Sequence, residues 1–358
     1  MNRFAFSFYG KLPARGNIIY SPASIELALA MAQAGALGET AAEIGKALGA
    51  GPDAIGGILA SLRDAKEIEL AIADRLWGDR TLRLLPPYQT LTREKYGAEL
   101  GVLDFRGGAD RARDTINKWV EEQTKGKIKD LLPPGAVDRA TRLVLTNAIY
   151  FKGTWESPFD KGETHDAPFH APGGEKRAPL MHASMSLAYG RYDGYQVVSL
   201  PYRGGRLVMD VILPDGNKDL PALEKRLVGD KPPELATREL VKVSLFLPRF
   251  TVRAETTLKK PLGALGVRRA FADDAQFGGI AADAEKEGLH ISEGYHQAFI
   301  EVNEEGTEAA AATGMVMRPT MARLPEREVT FRADHPFLYA IRDATTGLIL
   351  FMGRYETP

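Results

Sequence analysis

The side chains able to do chemistry are few and scattered. The six histidines are His165, His170, His182, His290, His296 and His335. His165 and His170 stand five apart in THDAPFH with Asp166 between them, a spacing that does not put two ligands on one helix face. A polar loop around Pro168 is the simpler reading, and no metal site and no cofactor are expected. Lys125, Lys127 and Lys129 form a short basic run after a helical pattern; a solvated face accounts for them better than a polyanion site. The chain has no G-x-S-x-G elbow, no P-loop, no G-x-G-x-x-G and no H-E-x-x-H. The absence of cysteine removes disulfides, thiol catalysis and cysteine-based zinc sites together. With no nucleophile–base pair to be read, the chain is not expected to be an enzyme. His296 opens a strongly apolar alternation. A satisfied core histidine is the default there, and a hydrogen-bonded latch between strands is the alternative.

Composition bounds the rest. The 358 residues are 44% apolar and 26% charged, the profile of a globular protein large enough for one big domain or two ordinary ones. Forty-six basic side chains face 47 acidic ones, net charge -1, so nothing calls for a nucleic-acid partner. No apolar run approaches the ~20 residues that a membrane helix needs, and no membrane partner is expected. The start, MNRFAFSFYGKL, is amphipathic and not leader-like. That leaves two expectations for placement: secreted or periplasmic if a leader has been removed, cytoplasmic otherwise. The Ala- and Gly-rich composition without cysteine hints at a prokaryotic source.

The elements that must position any site fall into two halves. Ser21 and Pro22 signal a helix start, and the Leu-, Ala- and Met-rich stretch after them predicts a buried helix broken by Gly35 and Gly38. Helices are predicted over Ala41–Leu48, Ala54–Leu62, near Pro87–Tyr96 and over Ala112–Gly126, with a strand over Glu67–Trp77. From Arg142 strand-like runs dominate: RLVLTNAIYFKG, QVVSLPY, RLVMDVILPDG, VKVSLFLPRFTV, HQAFIEVN, EVTFRA, PFLYAIRD and LILFMGRY. Short helical stretches recur at Leu220–Leu227 and Leu258–Leu265. Helices first and strands after predict an α+β fold, and the lack of a repeat or linker predicts a single domain over 1–358.

One segment fits none of these elements. EEGTEAAAATGMVMRPTM (Glu304 to Met321) joins four helix-favouring alanines to flanking glycines between two strand-like regions. Counted by two, Thr307, Ala309, Ala311, Thr313, Met315 and Met317 carry no charge. Glu308, Ala310, Ala312, Gly314, Val316 and Arg318 carry both charges that fall between Thr307 and Arg318. As a strand it would have one face for a core and one for water, until Pro319 ended its ladder bonding. It reads as a loop that could also serve as a sheet strand.

EVNEEGTEAAAAT (Glu301 to Thr313) resembles the reactive-loop hinge of the serpins. NIIYSPASI, INKWVEEQTKGKIKDLLPPG, LVLTNAIYFKGTWESPF, LPYRGGRLVMDVILP, FLPRF, HPFLY and LILFMGRYETP also match that family in order along nearly the whole chain. The resemblance implies a serpin fold: helices packed on three β-sheets, with an exposed reactive centre loop near the C-terminus, at about 304–325. It implies a suicide-substrate inhibitor of serine proteases, in which loop cleavage is followed by insertion into the central sheet and covalent 1:1 trapping of the acyl-enzyme. A strand of about 14 residues spans ~46 Å at ~3.3 Å per residue, enough to carry a protease past its own diameter. A carrier or chaperone without inhibitory activity is the alternative. The molecule is expected to be a monomer, with loop–sheet polymers on heating.

Residue by residue, the resemblance makes Gly306, Thr307, Glu308, Ala309, Ala310, Ala311, Ala312 and Thr313 the hinge, with Thr307 the first side chain to enter the sheet. It puts Glu304 opposite Arg249 at the top of the sheet, the breach, with Trp155 packed beneath. It makes Ser21, Ser24, Asn147 and His296 the shutter, where strands must part, and sets Asn117 of the overlying helix above the sheet. Counting from Gly306 places the scissile bond at Thr320–Met321, suited to elastase-like or subtilisin-like proteases; Arg323–Leu324 is the alternative.

Overall fold

The computed structural model describes residues 2–48, 56–57, 68–97, 100–229, 239–307 and 328–358. Helices α1 (Arg3–Tyr9), α2 (Pro22–Ala34), α3 (Gly38–Ala47) and α4 (Pro86–Tyr96) lie in the first hundred residues, interleaved with strands β1 (Ile18–Tyr20) and β2 (Ile68–Asp79). Ser21 caps α2, its hydroxyl accepting from the Ser24 amide at 3.2 Å with Pro22 in the first turn. α2 is buried nearly all round, as its unbroken apolar composition requires. Of the helix expected over Ala54–Leu62, only Gly56 and Gly57 lie among the described residues, and both are helical.

Strand β3 (Gly101–Leu103) leads into α5 (Phe105–Gln123). α5 begins seven residues before the expected Ala112. Asp104 caps it by accepting from the Gly107 amide at 2.8 Å, and the turn kinks at Gly108 (φ -159°, ψ 54°). The Gly107–Gly108 pair reads as a loop in sequence, and the cap overrides it. Ala112, Ile116 and Val120 form the buried stripe of α5. They pack with Ala73 and Trp77 of β2 and with Val144 and Ala148 of β4 (Leu143–Thr154). These are alternate residues, so they share one sheet face. Burying Ile116 and Val120 stabilises this contact by about 1.5–3 kcal/mol each.

The remaining strands are β5 (His165–Ala171), β6 (Gly174–Tyr192), β7 (Tyr195–Pro201), β8 (Leu207–Pro214), β9 (Glu239–Pro248), β10 (Phe250–Thr257), β11 (Ile291–Val302), β12 (Gly306–Thr307), β13 (Glu328–Arg332), β14 (Phe337–Asp343) and β15 (Ile349–Tyr355). Helices α6 (Leu220–Leu227) and α7 (Lys259–Ala264) lie among them. The central sheet runs β10-β11-β12-β4-β2-β3. The other strands follow the order β1-β15-β14-β8-β7-β6-β9-β13, with β5 added to β6. Two of the three expected sheets are joined there because the 19-residue strand β6 serves both, pairing β9 along most of its length and β7 at its end.

The polar loop expected around Pro168 is instead strand β5, with Pro168 opposite Arg177. Among the described residues β5 pairs only with β6, and at an edge the missing proline N–H costs no ladder bond. Among the described residues no group of three or more His, Cys, Asp or Glu side chains is placed to hold a metal, and no helix is long and apolar enough to cross a membrane.

Candidate functional site

β11 and β4 lie side by side in parallel from Ile291/Leu143 to Phe299/Tyr150. Beyond that point they separate, and the two-residue strand β12 enters the gap. Thr307 pairs antiparallel with Val302 on one side, and Gly306 and Thr307 pair with Thr154 and Gly153 on the other. The central sheet is closed below and wedged open at its top by Gly306 and Thr307.

Gly306 is required where it stands. A Cβ there would overlap the Gly153 carbonyl oxygen and sit 2.7 Å from the Thr154 Cα, so the backbones could not approach. Asn303 shapes the approach: its Oδ1 accepts from the amides of Glu305 (3.0 Å) and Gly306 (3.2 Å), an Asx turn that reverses the chain out of β11. Thr307 is fully buried. Its hydroxyl meets the phenolic oxygen of Tyr202 at 2.6 Å, a residue that the sequence motifs do not single out.

The Tyr202 ring stacks on Trp155 at 4.6 Å and meets Phe151 edge-on at 5.0 Å. Burial pushes its phenol far up, a shift that the Thr307 hydrogen bond only partly offsets, so it stays neutral. Trp155, 1% exposed, donates from Nε1 to the Asn303 carbonyl at 2.9 Å. Its own amide donates to the Glu305 carbonyl at 2.9 Å. Glu304 is buried, and its nearest partner is the Thr164 hydroxyl at 2.8 Å; the Arg249 guanidinium lies farther off, at 3.7 Å. Lys161 and Glu305 form an outer ion pair at 2.6 Å.

Lower down, one connected polar cluster sits where β11 and β4 are paired. His296 lies opposite Asn147. Its Nε2 accepts from the Ser21 amide at 3.1 Å, and its Nδ1 donates to the Asn147 Oδ1. Asn147 Nδ2 donates to the Ser24 hydroxyl at 2.8 Å and to Asp74 at 2.6 Å, and Ser24 also donates to Asp74 at 3.0 Å. All are buried. Accepting at Nε2 while donating at Nδ1 makes the imidazole neutral. Burial drives its pKa down to about 3, the Asn147 contact opposing only slightly. Asp74 is the member that the sequence motifs missed, because one acidic residue inside a strand pattern carries no signal of its own.

Asn117 is buried between α5 and the chain that follows it. It holds the Leu132 backbone at both ends, Nδ2 to the carbonyl at 3.0 Å and Oδ1 from the amide at 2.8 Å. Among the expected site residues, Ser21, Ser24, Asn147 and His296 come together. Glu304, Arg249, Trp155, Gly306 and Thr307 come together about the top of the sheet. Glu308 to Thr313, Thr320–Met321 and Arg323–Leu324 lie outside the described residues.

A central sheet with its two middle strands paired below and a loop stem seated between them above is the architecture of one class of protein. The chain belongs to the serpin (serine protease inhibitor) family, whose model matches residues 1–358. It is 41% identical to the leukocyte elastase inhibitor of Bos taurus, over 96% of this chain and 93% of that protein. A highly specific serpin of the insect Tenebrio molitor superposes with a TM-score of 0.88 at 32% identity, covering 100% of this chain and 96% of that one. An Arabidopsis serpin in its native stressed conformation superposes at 0.87 with 31% identity, over 100% and 96% of the two chains. These relatives are eukaryotic and leave the hint of a prokaryotic source unsupported.

Proposed function

We propose that this protein is an irreversible inhibitor of serine proteases, not an enzyme, acting as a single-domain suicide substrate. A protease cleaves its loop, and the loop's N-terminal part fills the central sheet while the protease stays acyl-linked 1:1. The observation that carries this reading is the seating of Gly306 and Thr307 between β11 and β4 with the Thr307 side chain buried. Were the strand to continue past Thr307 after cleavage, the same alternation would turn Ala309, Ala311 and Thr313 inward as well, a small and charge-free face. Continued at the same register, Thr313 comes level with both His296 and Asn147, the pair that must part. Its hydroxyl is then placed to replace the hydrogen bond that insertion breaks.

The trap works only if insertion outruns hydrolysis of the acyl-enzyme, so the uncut molecule must be kinetically held above a more stable form. Identity to an elastase inhibitor supports elastase-like targets, as does a small residue at Thr320. Incubation with elastase, subtilisin or chymotrypsin tests the reading: an SDS-resistant adduct is expected, with release of a fragment beginning at Met321 by mass spectrometry. Cleavage without adduct would favour a carrier or chaperone. A fragment beginning at Leu324 would move the bond to Arg323.

A further inference from the structure

We infer that Tyr202 is a positioning residue for the inhibitory reaction: its hydroxyl holds Thr307 in the sheet before cleavage, so that insertion begins from a strand already started. The inference rests on the proposed function and adds a residue to it. Tyr202 belongs to neither the loop nor the central sheet. It follows β7 and reaches the gap because its ring is clamped between Trp155 and Phe151. Its amide donates to the Leu207 carbonyl at 3.0 Å, and it bridges to Trp155, so the ring stands on a fixed support.

Both hydroxyls of the 2.6 Å contact are wholly buried, where an unmade hydrogen bond is costly. Withdrawing Thr307 from the sheet therefore leaves a buried phenol without that partner. Starting a strand is the unfavourable step, since the chain must be fixed before ladder bonds accumulate. Gly306 and Thr307 have already taken it. Unseating them returns that step to the interval in which the acyl-enzyme can hydrolyse.

Tyr202→Phe keeps the ring against Trp155 and Phe151 and removes only the hydroxyl. Thr307→Val removes the other hydroxyl at equal shape. In the uncut protein, amide exchange at Thr307 is expected to quicken at least tenfold in Tyr202→Phe, a readout that needs no protease. With a protease that forms adduct with the parent, loop cleavage should keep its rate within twofold. The number of inhibitor molecules consumed per adduct should rise several-fold. The double variant Tyr202→Phe/Thr307→Val should recover most of that loss, because two apolar groups then meet.

Unchanged Thr307 exchange would overturn the inference, as would effects of the two single variants that simply add in the double. An absence of adduct from the parent would instead count against the proposed function, with the exchange measurement still deciding whether Tyr202 seats the hinge.

Discussion

At the residue scale, the buried polar cluster of Ser21, Ser24, Asp74, Asn147 and His296 turns on a histidine that burial keeps neutral. Its pKa lies near 3 in the folded chain against an ordinary 6.5. Between those values the unfolded or opened chain binds a proton that the closed cluster does not. Stability therefore rises with pH across that window: it is complete above about 6.5 and is lost as pH falls toward 3. By pH 5 the loss from this group amounts to about 2 kcal/mol. Heat-induced polymerisation should be markedly faster at pH 5 than at pH 7.5, and a His296→Gln variant should flatten that dependence. Equal steepness in the variant would assign it to other groups. At the top of the sheet, Glu304→Lys loses the Thr164 hydrogen bond and sets a further cation near Arg249 and Lys161. Polymers should then form faster on warming than in the parent; an unchanged rate would remove Glu304 from the latch.

At the element scale, the proposed insertion would open the sheet beneath α5, and what holds the helix there sets how easily it yields. Its apolar stripe does most of this, but Asn117 ties the helix to the returning chain by two hydrogen bonds at Leu132. Asn117→Ala would strand a buried amide and carbonyl at a cost of about 1–3 kcal/mol. Half-life of inhibitory activity at raised temperature should shorten; an unaltered half-life would make the tie incidental.

Elements with strong periodicity were legible in sequence. α2 declared itself by Ser21–Pro22, and β4 and β11 by apolar runs. β6 did not, since its GEKRAPLMHASMSLAYGRY mixes proline, serine and glycine without clean alternation, and its pairing is decided by partners far along the chain. The same limit applies to the site. Resemblance to the family pointed to the segment from Gly306 and to Ser21, Ser24, Asn147 and His296. Asp74 and Tyr202 acquire meaning only when tertiary contacts bring them to those residues.

At the scale of the whole molecule, the closed lower sheet and the wedged top describe a fold whose middle strands, β11 and β4, would have to part to admit one more strand between them. Antiparallel pairing on both sides of that strand would add ladder bonds along its length, where β11 and β4 now share one parallel ladder. The uncut chain is thus expected to sit above a lower free-energy state that a break in the loop makes accessible. The most direct measurement is thermal unfolding of intact and loop-nicked protein side by side, with far-ultraviolet circular dichroism as the readout. The nicked form should melt far higher and carry more strand. Coincident melting curves with no strand gained would contradict metastability, and with it the trapping mechanism.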